Sequence, residues 1–107
     1  MANTFKNACL AIGASRTDVY TCPAATAAVI HSIYLSNIDG TNNATVTIEL
    51  YDSSATTHFS LGTTLPVDAD STLVLDKPIN LEAADKLVVT ASAAGDIVAV
   101  CAVLEIT

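Results

Sequence analysis

Tryptophan is absent from this 107-residue chain, and only 14% of its residues are charged, well under the roughly 25% usual for soluble domains. Basic residues are fewest, since Lys6, Arg16, Lys77 and Lys86 stand scattered against eleven acids. A duplex-binding surface needs converging cations to replace phosphate counterions, and single-strand binding needs a basic groove with aromatic platforms. Nucleic acid is therefore excluded as a partner. The net charge of −7 has a plain effect, solubility through mutual repulsion. No apolar stretch reaches the eighteen or so residues of a spanning helix, and a membrane barrel needs many more strands, so no membrane partner is expected. Residues 9–14 are too short an apolar run, with Lys6 the sole preceding base, to form a secretion signal.

Cysteine is scarce and odd in number: Cys9, Cys22 and Cys101, without CxxC spacing. This excludes a zinc knuckle and a complete disulfide framework, and it fits a reducing compartment. Each cysteine sits among small apolar neighbours and reads as a buried small hydrophobe, while Cys9 and Cys22 remain a pair that a hairpin would bring together.

Amphipathic periodicity is also missing, since no stretch keeps a 3.6-residue period for three turns. What the chain has is 51% apolar residues, arranged in short runs between turn formers, with threonine supplying β-compatible polarity. Residues 5–12 and 18–22 read as two strands joined through a hairpin connection at residues 13–16. Pro23 then removes a ladder donor. Residues 27–38 form a long strand with Val29, His31, Ile33 and Leu35 assigned to the core face and Ile30, Ser32, Tyr34 and Ser36 to the other. Residues 37–43 hold the densest turn chemistry. Beyond them Val46, Ile48 and Leu50 alternate with Thr45, Thr47, Glu49 and Tyr51, which predicts one buried and one wet face. Residues 52–54 make a turn, residues 58–61 a short extended piece, and Pro66 suits an edge. Leu73-Val74-Leu75 follows, then a turn or single helical turn over residues 79–85. Two strong strands, residues 86–92 and Ile97–Ile106, flank a Gly-Asp hairpin signal at Gly95-Asp96. Val98, Val100, Ala102, Leu104 and Ile106 share one face of the last strand, which is placed centrally.

Seven to nine short strands with turns about every ten residues predict an all-β, antiparallel β-sandwich or jelly-roll-like fold. The length predicts one domain over residues 1–107, with residues 1–24 as an N-terminal arm or hairpin.

Two segments covering about half of the chain carry a family resemblance. One is Ala28-Val29-Ile30-His31-Ser32-Ile33-Tyr34-Leu35-Ser36-Asn37, followed by Asp39-Gly40-Thr41 and Ala44-Thr45-Val46-Thr47-Ile48. The other runs from Lys77-Pro78-Ile79-Asn80-Leu81-Glu82-Ala83 through Asp85, Leu87 and Val89-Thr90-Ala91-Ser92 to Val103-Leu104-Glu105-Ile106. They resemble the small virion proteins of tailed bacteriophages, although Ala84 stands where such corners often carry glycine. The resemblance implies a capsid decoration or cement protein, located in a virion assembled in the host cytoplasm. Its implied partners are the major capsid protein and copies of itself, as a homotrimer. The same surface suits a neck or tail subunit.

Such a role needs no chemistry, and little is on offer. His31 and His58 are the only candidate bases, and neither has a nucleophile motif nearby. Glu49, Glu82 and Glu105 are expected on separate, outward positions, unlike the paired carboxylates of a glycosidase. No catalytic, cofactor-binding or metal-ligating residue is assigned: Asp68-x-Asp70-Ser71 and Asp39-Gly40-x-Asn42-Asn43 hold oxygen ligands of the kind calcium accepts, but they are also ordinary turn vocabulary. The candidate protein-contact surface is Tyr34, Tyr51, Phe5 and Tyr20, with Tyr34 and Tyr51 expected as a paired patch flanking the Asp39-Gly40 turn. A host-receptor or carbohydrate-binding module is the competing class, with the tyrosines as its anchors.

Overall fold

Period-two apolar patterning produces nine strands among the described residues: β1 (Asn3–Ile12), β2 (Thr17–Thr21), β3 (Ala27–Asn37), β4 (Ala44–Asp52), β5 (Thr57–Val67), β6 (Thr72–Leu75), β7 (Ile79–Leu81), β8 (Lys86–Ala91) and β9 (Ile97–Ile106). The structure is a computed structural model and describes residues 2–107. Every pairing is antiparallel. A five-stranded sheet runs β1-β9-β3-β6, with β7 also on β3, and a four-stranded sheet runs β2-β8-β4-β5. With β6 and β7 sharing one edge, eight strand positions fall into two facing sheets, the double-sheet jelly roll. Between them lies one apolar core in which Ile30, Ile33, Leu35, Ile48, Leu87 and Ile97 are completely enclosed.

Most turns carry the chain from one sheet to the other. Residues 13–16 do not close a hairpin, because β1 pairs with β9 while β2 pairs with β8 in the opposite sheet. Gly95, at φ +87°, likewise leads from β8 in one sheet to β9 in the other. Of the sequence-predicted turns, only the one at Asp52 joins neighbours, β4 to β5. Cys9 therefore lies exposed on one sheet while Cys22 and Cys101 are buried, and all three thiols are free. The hairpin pairing of Cys9 with Cys22 does not form, and only Cys22 and Cys101 act as small core hydrophobes. β5 is also far longer than residues 58–61, running to Val67 with Pro66 on the sheet edge.

A β-bulge decides which face of β3 is buried. Pairing with β9 shifts between Ile30 and Ser32, leaving His31 as the extra residue, and an extra residue reverses the side-chain phase of everything before it. Ala28 and Ile30 point into the core, then Ile33 and Leu35 do so after the bulge. Uniform alternation, which put Val29 and His31 inside, fails for that half of the strand: Val29 is half-buried and His31 exposed. Ile30→Ala is expected to cost about 2–4 kcal/mol through its cavity, while Val29→Thr stays within about 0.5 kcal/mol. Paired urea melts check this, and equal losses would mean that the bulge is misplaced.

The corner before β8 closes around Asp85. Ala84 adopts φ 71°, the left-handed conformation that glycine takes without steric cost, and its N–H donates to the Cys22 carbonyl at 2.9 Å. Alanine thus keeps the glycine conformation of the corner. Ala84→Gly is expected to raise stability by up to about 1 kcal/mol, measured as a shift in denaturation midpoint, because it relieves that strain. The same corner buries the Asp85 carboxylate, which accepts from Ser53 N–H and Ser53 Oγ–H (3.0 and 2.9 Å) and from Glu82 N–H (3.0 Å). Burial alone would push Asp85 up, but these donors outweigh it and hold the carboxyl below its usual range.

Candidate functional site

The outer face of the five-stranded sheet follows from alternation. With Ile97, Ala99, Cys101 and Val103 of β9 facing the core, Val98, Val100, Ala102 and Leu104 must face outward, and β-register carries that face across the sheet. One row runs Phe5, Leu104, Val29; another runs Cys9, Val100, Tyr34, Val74. Between and beyond them lie Asn7, Ala102 and Ser32, then Ala11, Val98, Ser36 and Thr72. No Asp, Glu, Lys or Arg occurs in these rows. Phe5 is 77% exposed, Tyr34 and Val74 44%, and Val100 38%. Covering each by a partner contributes on the order of 1 kcal/mol from area alone. Exposed apolar side chains gathered on one face in this way mark interaction surfaces in proteins generally.

The outer face of the four-stranded sheet is built the opposite way. Val88 points outward from β8 yet is 0% exposed. Its register partners are Asp18 and Glu49, which hold Lys86 at 3.2 Å and Arg16 at 3.0 Å. The ion pairs raise the pKa of Arg16 and lower that of Glu49 through their hydrogen bonds. Here charged side chains flank the apolar residue at the middle of the sheet, and the exposed Phe59 and Leu61 (51% and 45%) lie on its edge strand β5.

The four candidate contact residues consequently separate. Phe5 and Tyr34 share the apolar face, and Phe5 stacks on His31 at a ring separation of 6.4 Å. Tyr51 lies on the other sheet, its ring 4.8 Å from His58 and 5.5 Å from the Lys86 ammonium. The paired Tyr34–Tyr51 patch does not exist, because the chain changes sheets between β3 and β4. Tyr20 turns inward and donates its hydroxyl to Glu105, which also holds Lys6 at 2.9 Å. Burial first, then the Glu105 bond, pushes the Tyr20 hydroxyl up. The Tyr20 bond first, then Lys6, holds Glu105 low. Glu105 is thus buried at the end of the core rather than outward: Lys6 neutralises it and the Tyr20 hydroxyl satisfies its other oxygen, a compensation that sequence patterning does not display.

Sequence reasoning passed over Val100 and Val74, whose signal was the apolar second face of β9 and the Leu73-Val74-Leu75 run. Beside Val74 lies a groove of about 410 Å³ lined by Leu61, Val74, Leu75, Asp76, Lys77, Pro78 and Ile79. His31 and His58 sit on different sheets, so they cannot serve one site. The oxygens of Asp39 are taken by its own loop, accepting from Thr41 N–H, Asn42 N–H and the Asn42 amide at 2.8–3.2 Å. The first of these donors, with Asn42, holds its carboxyl low.

No family model and no curated protein matches the chain. Solved structures do. A protein from the disulfide-linked pili of Bacillus endospore appendages is 19% identical with TM-score 0.57, over 98% of this chain and 88% of that one. A protein of the acid-stable capsid of a Helicobacter pylori bacteriophage is 14% identical with TM-score 0.58, over 98% and 87%. A protein of infectious bursal disease virus, Gx strain, is 12% identical with TM-score 0.51, over 97% of this chain but 31% of that one. At these identities the likeness is one of fold.

Proposed function

We propose that this chain is a non-enzymatic structural subunit of a virus particle, and specifically a bacteriophage capsid decoration (cement) protein that binds and stabilises the major capsid shell. The observation that carries the reading is the charge-free apolar face centred on Tyr34, Val100 and Val74, on a chain of net charge −7. A subunit that must lie flat on other protein needs such a face on one side, and a charged face on the side left to solvent. The fold shared with a phage capsid protein and the resemblance of residues 28–48 and 77–106 to small virion proteins support the same reading. A ligand of the assembled state alone stabilises that state by mass action, which is all a cement protein has to do.

The test is co-sedimentation with major-capsid shells lacking the protein, together with shell melting. Saturable binding with a raised melting temperature is expected, and absence of binding to expanded shells would remove the cement role. The fold shared with a pilus protein favours a second reading, a filament of copies of this chain. It is distinguished by electron microscopy of the protein alone: filaments formed without shells belong to the second reading only.

A further inference from the structure

Four strand edges border the two sheets, and three of them are blunted. β6 and β7 have four and three residues with Pro78 between them. β2 has five residues and a bulge, and β5 carries register shifts and Pro66. Short strands, bulges and prolines are how proteins prevent unwanted edge pairing. β1 has none of them. Its ten residues pair with β9 in unbroken register and include neither proline nor glycine. Its one charged residue, Lys6, is neutralised by Glu105 at 2.9 Å, so a chain of net charge −7 presents an edge free of repulsion.

The hydrogen-bond phase of that edge is fixed. Ala2 and Thr107 exchange both backbone bonds, at 3.1 and 2.9 Å. Antiparallel ladders alternate strictly between bonded and non-bonded pairs. The even-numbered residues of β1 are therefore bonded to β9, and Asn3, Phe5, Asn7, Cys9 and Ala11 turn their N–H and C=O groups to the open side. These five residues also point their side chains to the apolar outer face.

We propose that β1 is a self-pairing edge: two copies of this chain join β1 to β1, antiparallel, about a two-fold axis at Asn7. In that register Asn3 meets Ala11 of the second copy, Phe5 meets Cys9 and Asn7 meets Asn7, so all five open residues are satisfied together. About ten backbone hydrogen bonds result, as many as an ordinary protein interface carries. The ring of Phe5, 77% exposed, is covered in the process. Two outer faces then continue into one apolar surface on a ten-stranded sheet. The pairing belongs to the free chain and does not depend on shell binding.

Sedimentation of the full chain over a concentration series tests this. A two-fold dimer is expected, and Asn7→Pro is expected to weaken it by about a hundredfold or more. Proline there removes an open-side N–H and leaves the β9 ladder intact. A nitroxide on Cys9, the one exposed thiol among the described residues, should report a partner label with about 14 Å between the Cα atoms, four residues along the strands. If Asn7→Pro does not fold, Phe5→Lys/Cys9→Lys serves instead, because it sets like charges opposite each other across the axis. Its expected result is a folded monomer. A wild-type chain that stays monomeric to millimolar concentration, a trimer, or a dimer indifferent to these substitutions would overturn the proposal.

Discussion

Asp85→Ala is expected to lose about 3 kcal/mol of folding stability, seen as a fall of more than about 10 °C in Tm. The carboxylate is 5% exposed and accepts from Ser53 N–H, the Ser53 hydroxyl and Glu82 N–H. Truncation leaves those donors facing a void, and each unsatisfied buried group costs its desolvation. Exposed Asp76 is the control, and its alanine variant should fall within about 0.5 kcal/mol of the parent. The loss also has a pH signature. Because the folded-state pKa of Asp85 lies below its unfolded value, its contribution is present above the unfolded value of about 4 and disappears as pH falls through the folded one. Glu105, also held low, acts in the same direction. Parent and Asp85→Ala melting curves should therefore converge in acid, and a constant gap down to the lowest pH would contradict the carboxylate role.

Tyr34→Asp/Val100→Asp is expected to reduce shell binding by about a hundredfold or more while the chain stays folded. The two side chains are register partners at the middle of the apolar face, where truncation of central contacts costs most. Two new carboxylates must in addition be desolvated against the partner. Both positions are substantially exposed and point away from the core, so stability should change by less than about 1 kcal/mol. Phe59→Asp is the matched control: Phe59 is 51% exposed, but it belongs to β5 on the other sheet. Equal loss from both variants would indicate general charge repulsion in place of a specific face.

Much of the fold was legible along the chain. The alternation of Val46 and Ile48 with Thr45 and Thr47 gave β4 its buried and wet faces, and Pro66 marked an edge. Of the four candidate contact residues, Phe5 and Tyr34 lie on the exposed apolar face. Tyr20 and Tyr51 do not, because a tyrosine hydroxyl bonded to Glu105 and a ring wedged between His58 and Lys86 depend on strands far away in sequence.

By itself, the amino-acid sequence determined that this chain is all β, roughly where most of its strands other than β5 and β7 begin and end, and that its interior is apolar, because side-chain period and turn propensity are local properties. The tertiary structure decided which sheet each strand joins. Residues 13–16 and Gly95-Asp96 have the chemistry of hairpin turns, yet both cross between sheets, since a turn's backbone conformation does not specify which strand will satisfy the hydrogen bonds of the next one. It also decided which face of β3 is buried, because the bulge at His31 exists only in pairing with β9. The apolar contact face and the open edge of β1 arise the same way: both are defined by what long-range pairing leaves uncovered.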